Sequence, residues 1–105
     1  MTFREWQKKE FGYDCITTFW EDFSIADRFG VDAVIDTFDR TFNEWKTNYK
    51  YLTELVIVLN HKCWHYFGKN NALSKIYADL YKKASSYASE TLEGEEFAYY
   101  WRITD

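Results

Sequence analysis

The sequence predicts an all-α fold, a compact bundle of about five helices in a single domain that spans residues 1–105. Two or three of these helices should be long and the others short. Apolar residues recur at three- and four-residue spacing along several segments, as on the buried side of an amphipathic helix. The chain contains no proline, and its four glycines each follow a segment of helical pattern, where a glycine commonly ends a helix.

The first third of the chain predicts short elements followed by one longer helix. Thr2-Phe-Arg-Glu5 has the pattern of a capping box, and the helix that it begins should end near Gly12. A second short element precedes Gly30, and either Thr18 or Ser24 could begin it. A third helix should begin with Asp32 as its N-cap. Its apolar side carries residues at helical spacing: Val31, Val34, Ile35, Phe38, Phe42 and Trp45.

A helix from about Asn48 to Phe67 should occupy the centre of the bundle, because it is apolar around most of its circumference. Trp64 and Phe67 widen its apolar face, and its narrow polar sector consists of Lys50, Glu54, His61 and His65. The run from residue 55 to residue 59 alone also fits a buried strand, but the helical pattern on both sides favours a helix.

The remaining chain predicts a fifth helix over residues 71–91, with a buried face of Leu73, Ile76, Tyr77, Leu80, Ala84, Tyr87 and Ala88. After Gly94 the prediction stays open. Two acids followed by an apolar run fit a last short helix, whereas the aromatic and β-branched content fits an extended segment.

The charged residues are segregated along the chain. Residues 1–45 carry ten acidic and five basic side chains, residues 46–83 carry seven lysines and two acids, and residues 84–105 carry five acids and one arginine. One interpretation is that acidic and basic helices pack side by side, with solvated ion pairs of small energy. The other is that each face presents one sign of charge to a partner and so steers association.

The acidic part of the chain supplies the candidate binding residues: Asp22, Asp27, Asp32, Asp36, Asp39 and Glu44. Asp32, Asp36 and Asp39 are spaced i, i+4 and i+7, so they should form a ridge along one side of the third helix. Neighbouring carboxylates would stand roughly 4.5–6 Å apart along the axis, the same order as the ~3.4 Å between phosphates of a nucleic-acid strand. The leading hypothesis is an acidic inhibitor that occupies the basic nucleic-acid-binding site of another protein.

Two other hypotheses start from other features. Aromatic residues make up 22% of the chain, more than a small core needs, so the excess could form a homo-oligomeric interface or sequester a ligand. Residues 46–51 mix lysine with tyrosine, as single-strand binders do, which points to Lys46, Tyr49, Lys50 and Tyr51. We do not expect direct nucleic-acid binding, because the chain is acidic, arginine is scarce and no recognised motif is present.

No pattern in the sequence indicates catalysis, so we expect a binding protein rather than an enzyme, with no cofactor. There is no glycine-rich phosphate loop and no nucleophile signature. His61 and His65 have the i, i+4 spacing of two metal ligands, but a zinc site normally needs three or four, so we predict no metal site.

The first ten residues are charged and lack the apolar core of a signal peptide, and no apolar run is long enough to span a bilayer. We therefore expect a cytoplasmic protein that does not engage membranes. Cys15 and Cys63 form no CxxC motif and should be reduced thiols packed as small apolar groups.

Residues 42–66 (FNEWKTNYKYLTELVIVLNHKCWHY) and 99–105 (YYWRITD) resemble small proteins of no assigned function encoded by prophages and mobile elements of gut Firmicutes. The resemblance covers most of the chain and transfers no catalytic residue. It implies a phage context within a bacterial host, where small acidic proteins often inhibit defence systems, including CRISPR nucleases.

Overall fold

The computed structural model describes residues 19–104 and shows five helices in this part of the chain. They are α1 (Phe19–Asp27), α2 (Val31–Trp45), α3 (Tyr49–Tyr66), α4 (Asn71–Thr91) and α5 (Gly94–Thr104). The described residues contain no strand, so the all-α prediction is confirmed. The segment after Gly94, for which the sequence allowed either a helix or an extended conformation, forms the helix α5. The helix predicted to end near Gly12, and Cys15, lie outside the described residues.

Helix α3 lies at the centre of the bundle and contacts each of the other four helices. Leu52, Leu55, Val58 and Leu59 are completely buried along it. Full burial of one such aliphatic side chain contributes about 1.5–3 kcal/mol of transfer free energy. The central position predicted for this segment is confirmed, and its burial holds the surrounding helices in place.

The circumference of α3 differs from the prediction in two respects. Glu54, placed in the polar sector by the sequence pattern, is completely buried. Trp64 and Phe67, expected to widen the buried face, are 65% and 67% exposed. Helical spacing assigns residues to faces, but the neighbouring helices decide how far around the axis burial extends, and they leave the C-terminal end of α3 uncovered on one side.

The helix beginnings follow local hydrogen bonding. The side chain of Asn48 accepts from the backbone N–H groups of Lys50 and Tyr51, which caps α3. Asn70 caps α4 in the same way by accepting from the N–H of Leu73. In each case a short polar side chain satisfies donors that the first helical turn leaves without partners.

The beginning of α2 corrects one prediction. Asp32 is not the N-cap; Gly30 occupies that position with φ 106° and no side-chain cap. A positive φ is costly for residues with a Cβ, so glycine suits this turn. Asp32 instead lies in the first turn of α2, where a carboxylate is favoured by the partial positive charge of the helix N-terminus.

Helix α4 covers the residues predicted for it, and two alanines on its buried face have no exposed surface. We expect Ala84→Leu to lower the free energy of unfolding by about 1–3 kcal/mol, because the well-packed core has no space for the added atoms. Ala72→Leu, at an exposed position of the same helix, should change it by no more than about 0.5 kcal/mol. Urea unfolding followed by circular dichroism measures both, and equal effects would contradict this packing.

Candidate interaction surface

The six predicted acids occupy two helices with different exposures. Asp22 and Asp27 are on α1, and the other four are on α2. Those four side chains are exposed: Asp32, Asp36, Asp39 and Glu44. We call these four residues the acidic face. Asp22 is half-buried, and Asp27 points into the protein, as described below.

The orientation of the acidic face follows from how α2 packs. Val34 and Phe38 are completely buried, and Phe38 stacks on Phe42 with ring centroids 5.2 Å apart. Each residue turns the helix by about 100°, so Asp32, Asp36 and Asp39 share a side roughly opposite these apolar residues. The anchoring of the apolar side in the core therefore directs a row of carboxylates away from the bundle.

The carboxylates of the acidic face have no salt bridge with another described residue. Within residues 19–104, the salt bridge between described residues is the one that joins Lys62 and Asp27. Two lysines of the basic segment lie against aromatic rings instead. The Lys83 Nζ is 5.6 Å from the ring centroid of Phe38, and the Lys46 Nζ is 5.7 Å from that of Phe42. Within the described residues, the lysine-rich segment therefore does not pair with the acidic face.

Asp27, which the sequence analysis placed among the binding residues, is instead buried and paired within the protein. Its side chain is 6% exposed and forms a salt bridge of 3.0 Å with the Lys62 Nζ, which is 3% exposed. Tyr66 donates its hydroxyl to the Asp27 Oδ2 at 2.6 Å, and Tyr77 donates to the Oδ1. A buried carboxylate is costly without such donors. Asp27 thus joins α1 to α3 and α4 and is not available to a partner.

Lys62 completes this buried cluster from the other side. Its Nζ donates to the Ser24 Oγ at 2.7 Å and lies 4.3 Å from the ring centroid of Trp20. An ammonium over an indole face is stabilised by the ring quadrupole, and more strongly when water is excluded. Hydrogen bonds and the ring face together solvate the buried ammonium.

The sequence contained a signal for this cluster that the charge analysis missed. At 100° per residue, Lys62 lies between Val58 on one side and Leu55 and Leu59 on the other, on the apolar side of α3. A charged residue in the middle of an apolar stripe requires a buried counter-charge. Asp27 likewise follows Phe23 by one helical turn. The pattern could have marked both residues as internal, although not as partners.

The two tyrosines that contact Asp27 have raised pKa values, so they remain neutral at pH values well above those at which tyrosine ordinarily ionises. Burial, with the hydrogen bond to Asp27 as a second cause, raises the pKa of Tyr66 to about 12. The same causes, again led by burial, raise the pKa of Tyr77 further. The neutral phenol is favoured because it can donate to the carboxylate, whereas a phenolate would face it with the same charge.

The Lys/Tyr stretch uses its aromatic groups within the fold. Tyr49 packs edge-on against Tyr99 at 5.2 Å, and Tyr51 packs against Trp45 at 4.5 Å. The Lys50 Nζ lies 5.9 Å from the ring centroid of Tyr99. Lys46, Tyr49, Lys50 and Tyr51 are all half-buried. Ring faces already in contact offer less area for stacking on nucleic-acid bases.

Exposed aromatic residues lie elsewhere. Trp64 and Phe67 contact each other at a centroid distance of 5.5 Å, and Phe29 and Trp101 are also exposed.

Within residues 19–104, none of the helices combines the length and the apolar character that a membrane-spanning segment needs. No group of three or more potential metal ligands converges in this part of the chain.

Comparison of the chain with protein-family models, curated proteins and solved structures found no match.

The opposite placement of two aspartates can be tested by neutralising each. Asp27→Asn should lower the free energy of unfolding by on the order of 3 kcal/mol, because it leaves the buried Lys62 ammonium without a counter-charge. Asp36→Asn, a matched change on the acidic face, should stay within about 0.5 kcal/mol of the parent. Chemical denaturation at neutral pH measures both. A small effect of the Asp27 substitution would mean that its carboxylate is solvated.

Alkaline pH should destabilise the fold through Tyr66 and Tyr77. Tyrosines ionise with a pKa near 10.0 in the unfolded chain, whereas the pKa of Tyr66 is about 12 in the fold. Below pH 10 both tyrosines are protonated in the folded and in the unfolded chain, so they do not make the free energy of unfolding depend on pH. The free energy of unfolding should fall as pH rises from about 10 to 12, because the unfolded chain releases protons that the folded protein retains. Denaturant titrations across this range should show a shallower fall in Y66F than in the parent; an identical pH dependence would contradict the assignment.

Proposed function

We propose that this protein is a binding protein that presents the acidic face of α2, together with Asp22 of α1, to a basic nucleic-acid-binding site on another protein. The single observation that carries the proposal is the outward row of carboxylates that are not salt-bridged to other described residues. Such a row would occupy the basic site by charge mimicry and exclude the nucleic acid.

Geometry and electrostatics support this mode of binding. From Asp32 to Asp39, α2 advances by roughly 10 Å, comparable with about three phosphates of a single strand, and Glu44 lies further along the helix on a neighbouring side. Like charges on one side of a rigid helix produce a directional field, which raises the rate of encounter with a positive surface. The helix holds the carboxylates at fixed spacing, so little conformational entropy is lost when they bind.

The resemblance to prophage proteins supplies the proposed biological setting. A phage-encoded acidic protein would act inside a bacterial host, and its target would be a host nucleic-acid-binding or defence protein, such as a CRISPR nuclease. The fold carries the charges and does no chemistry in this proposal, which requires neither a catalytic group nor a cofactor.

The experiment begins with affinity capture from a bacterial lysate and identification of retained proteins by mass spectrometry. Each purified candidate is then bound to labelled nucleic acid, and this protein is added in increasing amounts. The proposal predicts release of the nucleic acid in a gel-shift assay, with weaker competition at higher salt because charge contacts are screened. A partner that binds this protein while retaining its nucleic acid would argue against mimicry.

The acidic face itself is tested by a charge-matched pair of triple variants. Asp32→Asn, Asp36→Asn and Asp39→Asn together should weaken binding by about tenfold or more, equivalent to ~1.4 kcal/mol. The control is Glu90→Gln, Glu93→Gln and Glu96→Gln, which makes the same change in net charge at exposed positions elsewhere. Calorimetric titration of the purified partner compares the variants. Equal losses would assign the effect to net charge rather than to this face.

A second candidate function, self-association through exposed aromatic residues, is favoured by the Trp64–Phe67 pair. Two adjacent rings that are each about two-thirds exposed resemble the aromatic anchors of protein interfaces. Under this alternative, light scattering coupled to size-exclusion chromatography should give a mass above the 12.7 kDa monomer, and Trp64→Ala should restore the monomer. A monomer at every concentration would exclude this alternative.

A further inference from the structure

A cleft of about 290 Å³ lies between α4 and α5, and none of its lining residues belongs to the acidic face. It forms because α5 packs more extensively on α3 than on α4, which leaves the outer sides of α4 and α5 apart. Six residues from these two helices line it: Tyr81, Ser85, Ser89, Tyr100, Trp101 and Thr104.

Helical spacing explains why these six residues meet. On α4 the lining residues follow one another at i, i+4 and i+8, and on α5 they stand at i, i+1 and i+4. The i, i+4 spacings hold side chains on one side of a helix, and Trp101 follows Tyr100 at about 100° around the axis. Each wall of the cleft is therefore a continuous row of aromatic and hydroxyl groups.

Trp101 supplies an aromatic surface that is already held in place. Its ring stacks on Phe97 at 6.2 Å with an interplanar angle of 22°, and Phe97 packs against the core. Trp101 is nevertheless 58% exposed. An ordered ring with a free surface can contact a ligand with a small loss of conformational entropy.

The remaining lining groups are neutral hydroxyls. Thr104 donates its hydroxyl to the Tyr100 carbonyl at 2.7 Å, and Ser85 donates to the Lys82 carbonyl at 3.2 Å. Their oxygens keep lone pairs that can accept from a ligand. Burial raises the pKa of Tyr100, which further favours its neutral phenol. Among residues 19–104, no charged side chain lines the cleft.

We propose that this cleft binds a neutral, ring-shaped polyol, a pyranose sugar, with one face of the ring against Trp101 and its hydroxyls on the row of serine, threonine and tyrosine hydroxyls. The apolar C–H face of a pyranose matches an aromatic ring, and its hydroxyls match neutral donors and acceptors. An anionic ligand would find no cation among the described lining residues. The volume, at the low end for ligand sites, fits a single sugar unit.

The test is a titration of the ¹⁵N-labelled protein with methyl β-D-glucopyranoside and methyl β-D-galactopyranoside, followed through the indole N–H resonance of Trp101. That resonance is assigned by its loss in W101F. Saturable shifts with at least one pyranoside, in the millimolar range expected for a small ligand, support the proposal. Sorbitol, an acyclic polyol without a rigid ring face, should cause no saturable shift.

Matched variants locate the site. W101A should weaken pyranoside binding by about tenfold or more, whereas W64A, which removes an exposed tryptophan outside the cleft, should leave it within about twofold. S89A provides a second, milder change in the lining, and circular dichroism confirms that each variant is folded. The proposal is overturned if neither pyranoside binds, if sorbitol binds equally well, or if binding survives in W101A. Both Trp101 and Ser89 lie outside the acidic face, so the charge-mimicry proposal stands or falls separately.

Discussion

The buried carboxylate of Asp27 is the constraint on which the arrangement of the charged helices depends. Removing an ion pair from water costs several kcal/mol per ion, which only good geometry and further hydrogen bonds offset. Asp27 meets this requirement with the Lys62 ammonium and two tyrosine hydroxyls, from α3 and α4. Helix α1 therefore docks where these three donors converge, and a position away from them would leave the buried Lys62 ammonium without its carboxylate partner.

This docking separates two uses of negative charge in neighbouring helices. On α1 one aspartate is internal and fastens the helix, whereas on α2 the apolar side is fastened by Phe38 and Val34 and the carboxylates face outward. The same residue type thus stabilises the fold in one place and is exposed to solvent in the other. The proposed mimicry rests on this division, since the residues of the acidic face are not needed to hold the bundle together and can contact a partner.

The long helices could be predicted from the sequence because their signals are local. Apolar periodicity predicted α3 and α4 closely, and the helix α5 was one of the two alternatives left open for its segment. The pairing of Asp27 with Lys62 could not be predicted, because 35 residues separate them and only the packing of α1 on α3 brings them together. The exposure of Trp64 escaped prediction for a similar reason: periodicity places it on a face but does not say whether another helix covers that face.

The most direct test of this account is a double-mutant cycle on Asp27→Asn and Lys62→Met, measured as free energies of unfolding at neutral pH. If the two side chains form the buried pair that positions α1, each single substitution leaves the other group without its partner, and the double variant should lose less stability than the sum of the singles. We predict a coupling free energy of about 1–3 kcal/mol. Additive losses, with no coupling between the two positions, would contradict the account.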